Sequence, residues 1–159
     1  MRDDGEAPDE PAAWNTAAAK AAEFTFELDG TGGCIAQARR LAADFLARTQ
    51  ADRGLPLPRR ATDLTQLVVS ELVTNALKYA PGPVLVNLRV TAGSVEVVVW
   101  DSGPVLPRAR AADSGRVGQH GLEIVMAVAQ RFEARQEPVG KSITVSIALL
   151  DELGSTRPS

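Results

Sequence analysis

At 159 residues, 45% hydrophobic and 23% charged, the chain is long enough to bury a real core as one globular domain. Its net charge of −3 argues against a broad electrostatic footprint for nucleic acid, and residues 1–22, with two basic and five acidic side chains, account for all of it. One cysteine, Cys34, and one histidine exclude an internal disulfide and a cysteine-rich zinc site, and no apolar run approaches the ~20 residues that span a bilayer.

Residues 1–22 are acidic, Pro-bearing and Ala-rich and read as a disordered tail. The segment has no basic start and no apolar signal core, which implies a reducing, cytoplasmic location. Trp14 is its exception and is able to dock on a partner. The expected domain runs over 23–150, and the polar stretch 151–159 is a second tail. Residues 23–28 alternate with period two and predict a strand. Asp29 to Gly33 is a turn. Apolar positions Ile35, Ala38, Leu41, Ala42, Phe45 and Leu46 predict an amphipathic helix over 35–49. The Gly/Pro-rich stretch 54–58 ends it. A second helix follows over 64–80, capped by Thr62 or Asp63 and stopped by Pro81-Gly82-Pro83.

Two alternating runs, 84–91 and 95–101, then flank the Ala92-Gly93-Ser94 turn and predict a hairpin. In the second run Val95, Val97, Val99 and Asp101 share a face. Asp101 therefore leaves the apolar side where the strand ends, with Trp100 on the other side. Residues 102–120 hold few large apolar side chains and read as a long functional loop. Helical spacing resumes over 121–132, and 133–138 with 141–149 predict a closing hairpin. The order β, α, α, β, β, α, β, β predicts an α+β two-layer sandwich, a mostly antiparallel sheet with helices on one face.

The second helix carries an anomaly. At about 100° per residue, Leu64, Leu67, Val68, Glu71, Asn75 and Lys78 share a stripe that turns polar after Val68. An intrahelical Glu71–Asn75–Lys78 ladder is one reading of it. A wall of a polar pocket is the other. Two further segments match the pocket. Asp101, followed by Gly103, places a carboxylate at a strand end, where it can accept a hydrogen bond from an exocyclic amine. Gly118-Gln119-His120-Gly121 precedes a helix, and a glycine-bearing helix amino terminus suits phosphate. An Asn oxygen beside phosphates can ligate Mg²⁺. The three outline a nucleotide site, and no Walker loop occurs in the chain.

Glu71-Leu72-Val73-Thr74-Asn75-Ala76-Leu77-Lys78-Tyr79-Ala80, Asp101-Ser102-Gly103 and Gly118-Gln119-His120-Gly121-Leu122 resemble the N, G1 and G2 boxes of GHKL-type ATPases. Val68-Val69-Ser70 ahead of the N box, and the short length, resemble more narrowly the anti-sigma-factor serine kinases and the small stand-alone ATP-binding regulators of actinobacteria. The resemblance covers residues 24–149. It implies a Bergerat-type fold binding ATP and Mg²⁺. It implies Asn75 as the Mg²⁺ ligand and Glu71 as general base on a substrate serine. Asp101 and Gly103 match the adenine side, with Gly118 and Gly121 as lid glycines. Lys78, His120 and Leu122 fall within the matched nucleotide-binding boxes. Ser142, in Gly140-Lys141-Ser142, replaces the Thr that supports adenine through water, and its parity with Thr144 and Ser146 leaves open which face it sees. Pro104 and Gln119 depart from the family pattern and crowd the phosphate side.

The implied function is an anti-sigma factor that phosphorylates an anti-anti-sigma antagonist. The alternative is a nucleotide-binding interaction module with little or no catalysis. The implied partners are a sigma factor, its antagonist and a second copy in a homodimer, with no direct nucleic acid and no membrane.

Overall fold

Alternation along two central strands organises the molecule. In the computed structural model, which describes residues 21–54, 56–79, 82–103 and 116–149, Val84, Val86, Leu88 and Val90 of one strand are buried, as are Val95, Val97, Val99 and Asp101 of its neighbour. The register sets Val86 opposite Val99, Leu88 opposite Val97 and Val90 opposite Val95, so one face is a continuous apolar surface. Each such side chain contributes about 1.5–3 kcal/mol when buried.

The elements are β1 (Ala22–Leu28), α1 (Cys34–Arg53), α2 (Arg59–Tyr79), β2 (Val84–Val90), β3 (Ser94–Asp101), α3 (Arg116–Val128), β4 (Arg131–Gln136) and β5 (Lys141–Ala148). The five strands form one sheet in the order β1-β2-β3-β5-β4, antiparallel at every pairing. Helix α2 packs on β3 and β5, with α1 and α3 beside it. Its Val68, Val69, Leu72, Val73 and Ala76 meet Ile143, Val145 and Ile147 of β5 in the same core. The predicted α+β two-layer architecture is the one observed. Among the described residues no helix is long and apolar enough to cross a membrane.

All three helices differ from the sequence expectation in their bounds. Helix α1 runs on to Arg53 and ends at Gly54, whose left-handed backbone (φ 69°) lets its N–H bond the Gln50 carbonyl at 3.0 Å. Helix α2 starts at Arg59, ahead of Thr62 and Asp63. Pro58, which has no N–H to lose, precedes the first turn, and its carbonyl accepts from the N–H groups of Ala61 and Thr62. Neither Thr62 nor Asp63 is the cap. Helix α3 begins at Arg116 and closes at Val128, so Phe132 belongs to strand β4 and packs on the core from there. The tail residues 1–20 with Trp14, residues 104–115 with Pro104, Arg108 and Arg110, and residues 150–159 lie outside the described residues.

Candidate functional site

Connectivity brings the polar residues to one end of the sheet. Helix α2 ends at Tyr79, and β2 begins at Val84 only a few residues later. Because β2 and β3 are antiparallel, the start of β2 lies beside the end of β3, with Leu85 opposite Trp100. The start of β5 lies there too, since Lys141 pairs with Asp101. A Cβ built on Gly82, just past α2, would stand 4.0 Å from the Ser102 hydroxyl. The last turns of α2, the carboxyl end of β3 and the β4–β5 turn therefore share one rim.

On α2, Glu71 is half-buried, Asn75 is 4% exposed and Lys78 is exposed. The Asn75 amide nitrogen is buried with no hydrogen-bond partner. Glu71 accepts nothing from it, so the Glu71–Asn75 rung of the intrahelical ladder is not made. An unsatisfied buried amide costs about 1–3 kcal/mol and calls for a ligand or a functional reason. Asn75→Leu is accordingly expected to raise the unfolding midpoint of the nucleotide-free protein by a few degrees and to remove stabilisation by Mg²⁺-ATP. Thermal melts with and without nucleotide check both halves; a lowered midpoint would show that the amide already has its partner.

Gly121 lies inside α3, not ahead of it, as does the backbone of Gly118. The glycine pair is thus not an open helix amino terminus. Gly121 has a different use. A Cβ there would collide with the Glu71 carboxylate and stand 3.2 Å from its Cδ. Glycine leaves the room in which the Glu71 carboxylate sits against α3. Leu122, the next residue, is 6% exposed in the core. The side chains of Gln119 and His120 lie outside the described residues.

Asp101 is 2% exposed at the end of β3. Its Oδ1 accepts from the Gly103 N–H at 2.7 Å, a turn in which Gly103 serves the carboxylate directly. The same oxygen takes the Lys141 ammonium at 2.7 Å, an ion pair with both side chains at most 3% exposed. Lys141 was not among the sequence candidates. Its parity was the available signal: it alternates with Ile143, Val145 and Ile147, the core side of β5. Ser142 therefore faces the other way. It pairs across from Trp100 on the uncovered face, and its hydroxyl bonds Glu137 at 2.8 Å. At the rim the Ser142 side chain therefore lies on the face of the sheet opposite the Asp101 carboxylate. On that outer face the Trp100 indole N–H donates to the Val139 carbonyl at 2.9 Å.

The residues present fit a nucleotide and its metal. The partnerless Asn75 Nδ2 is a donor and suits a phosphate oxygen, whereas Oδ1 of the same amide is the atom that would take Mg²⁺. Among the described residues no cluster of three or more His, Cys, Asp or Glu is built to hold a metal alone. A Mg²⁺ taken by one amide and completed by phosphate oxygens and water needs no such cluster.

Residues 31–147 match the model of the histidine kinase-like ATPase domain. Among solved structures, the histidine kinase domain of the blue-light activated histidine kinase from Erythrobacter litoralis EL346 is similar, at 21% identity and a TM-score of 0.46. That match spans 68% of this chain and 61% of the other. No curated protein matches the chain.

Proposed function

The chain belongs to the histidine kinase-like ATPase domain family, and from that premise we propose that it binds Mg²⁺-ATP on the rim formed by α2, β3 and α3 and phosphorylates a serine of a protein antagonist, acting as an anti-sigma factor. The observation that carries the reading is the buried, partnerless Nδ2 of Asn75, a donor one helical turn beyond Glu71 that suits a phosphate oxygen. A core position given to an unsatisfied polar group is costly unless a ligand completes it.

The chain's own residues divide the work. Asp101 accepts the exocyclic amine of adenine and is held in place by Gly103 and Lys141. Asn75 would hold Mg²⁺, whose charge offsets that of the phosphates. Glu71, on the same helix face and seated against Gly121, takes the proton from an incoming serine hydroxyl. Phosphoryl transfer asks a protein mainly for positioning and charge neutralisation. The narrower assignment, to an anti-sigma factor acting in the cytoplasm on an anti-anti-sigma antagonist, rests on the resemblance of the Val68–Ala76 phrase.

Calorimetry with ADP tests the nucleotide site. The wild-type protein is expected to bind ADP, and Asp101→Asn to bind it at least about tenfold more weakly, because the lost hydrogen bond involves a charged acceptor worth about 1.5–3 kcal/mol. Equal affinities would remove Asp101 from the base pocket. Absence of ADP and ATP binding in the wild type would remove the nucleotide itself.

A further inference from the structure

Lys141 is 1% exposed, a burial that lysine tolerates almost only when paired. The β3–β5 register sets it directly across from Asp101. Its ammonium and the Gly103 N–H both donate to Oδ1 of that carboxylate, each at 2.7 Å. Among the described residues no donor bonds Oδ2. The pair thus saturates one oxygen of Asp101 and leaves the other to a ligand.

We propose that Lys141 is a positioning residue that sets the base specificity of the pocket, making Asp101 an acceptor-only group that selects a purine bearing a 6-amine over one bearing a 6-carbonyl. The proposal rests on the nucleotide reading of the site. Its physical basis is the hydrogen-bond sign of the carboxyl group. A carboxyl buried without a counter-charge tends to take up a proton. In that form it both donates and accepts. It then meets the amine of adenine through its carbonyl oxygen or the carbonyl of hypoxanthine through its hydroxyl. With the ammonium and the Gly103 N–H both donating to Oδ1, the group turns the lone pairs of Oδ2 toward a ligand. The 6-carbonyl of hypoxanthine then meets an acceptor with an acceptor, which a buried polar site penalises heavily. Lys141 touches neither base nor phosphate in this scheme; it acts through Asp101.

The test compares ADP with IDP, which carries a 6-carbonyl and an N1–H where ADP carries a 6-amine and a bare N1, by calorimetry on the full chain. Wild type is expected to bind ADP at least about 30-fold more tightly than IDP. Lys141→Met, which keeps the stem and removes the charge, is expected to bring the two within about threefold. Lys141→Arg, which keeps the charge, is expected to retain most of the preference. Should Lys141→Met fail to fold, Lys141→Gln carries the same comparison, with a neutral donor left to Oδ1. A purely structural lock would lower the unfolding midpoint of Lys141→Met and leave the ADP-to-IDP ratio at the wild-type value. That ratio overturns the proposal while the nucleotide site stands. Absence of ADP binding by the wild-type chain overturns the nucleotide reading, and this inference falls with it.

Discussion

Gly140→Ala is expected to lower the unfolding midpoint by about 6–15 °C and to abolish adenine nucleotide binding with it. The size follows from two independent costs. Gly140 has φ 83°, a left-handed conformation that costs a residue with a Cβ about 1–2 kcal/mol. The added methyl would also collide with the Asp101 carbonyl oxygen and come within 2.9 Å of the Ser102 Cα. Those are backbone atoms of β3 and its exit, pinned by the β5 ladder, so they cannot swing aside as a side-chain tip would. Overpacking of this kind costs a further 1–3 kcal/mol or so. Together the terms reach about 2–5 kcal/mol, at about 3 °C per kcal/mol for a domain of this length. Binding fails for the same reason, because the strain falls on the segment that positions the Asp101 carboxylate. Gly54 provides the control. It also has a positive φ, 69°, but a Cβ there meets nothing within 4 Å. Gly54→Ala is expected to show only the conformational cost, about half of the effect or a little less, with ADP affinity unchanged. Equal shifts in the two variants would remove the contact with β3 from the explanation.

The order of elements was legible because strand and helix periods are strong signals here. Val84 to Val90 and Val95 to Asp101 alternate without a break, and one register buries both runs. The ends of helices were less legible. Gly118 and Gly121 read as the end of a loop, since glycine in a helix costs about 1 kcal/mol relative to alanine. The close packing of Gly121 on Glu71 explains why that cost is tolerated, and no local pattern encodes a contact fifty residues away. Of the site, Glu71, Asn75 and Asp101 could be named because each is a polar group at a position whose period demands an apolar one. Lys141 obeys the same rule, but a lysine at a strand start reads as the solvated end of a hairpin. Only its pairing with Asp101 across the β3–β5 crossover shows the match of charges. Parity sets Ser142 with Thr144 and Ser146, opposite Ile143 and Val145, and only the pairing of Lys141 with Asp101 shows which of the two faces holds the carboxylate.

Glu71→Gln is expected to reduce transfer of labelled γ-phosphate from ATP to a cognate protein antagonist by about 10²–10⁴-fold, the usual worth of a positioned general base. ATP affinity is expected to stay within about threefold, because the amide keeps the size of the side chain and its place on α2. Rate without affinity is the signature of a group used only when the serine proton is taken. Gly121 supplies a second route to the same point without touching the carboxylate. Here the added Cβ of Gly121→Ala meets the far end of a flexible side chain, the Glu71 carboxyl group, so Glu71 yields rather than the backbone. Alanine also suits a helix better than glycine by about 1 kcal/mol. The variant is therefore expected to be at least as stable as wild type, to bind ATP, and to lose transfer because Glu71 has left its seat. The pairing is informative because Gly140→Ala and Gly121→Ala are the same chemical change with opposite expected consequences for stability, decided by whether the atom in the way is backbone or side-chain tip. Transfer unaffected in both Glu71→Gln and Gly121→Ala would remove Glu71 from the chemistry. ATP binding with no transfer by the wild type to any antagonist would make the chain a nucleotide-dependent interaction module, with Glu71 lining the pocket rather than working in it.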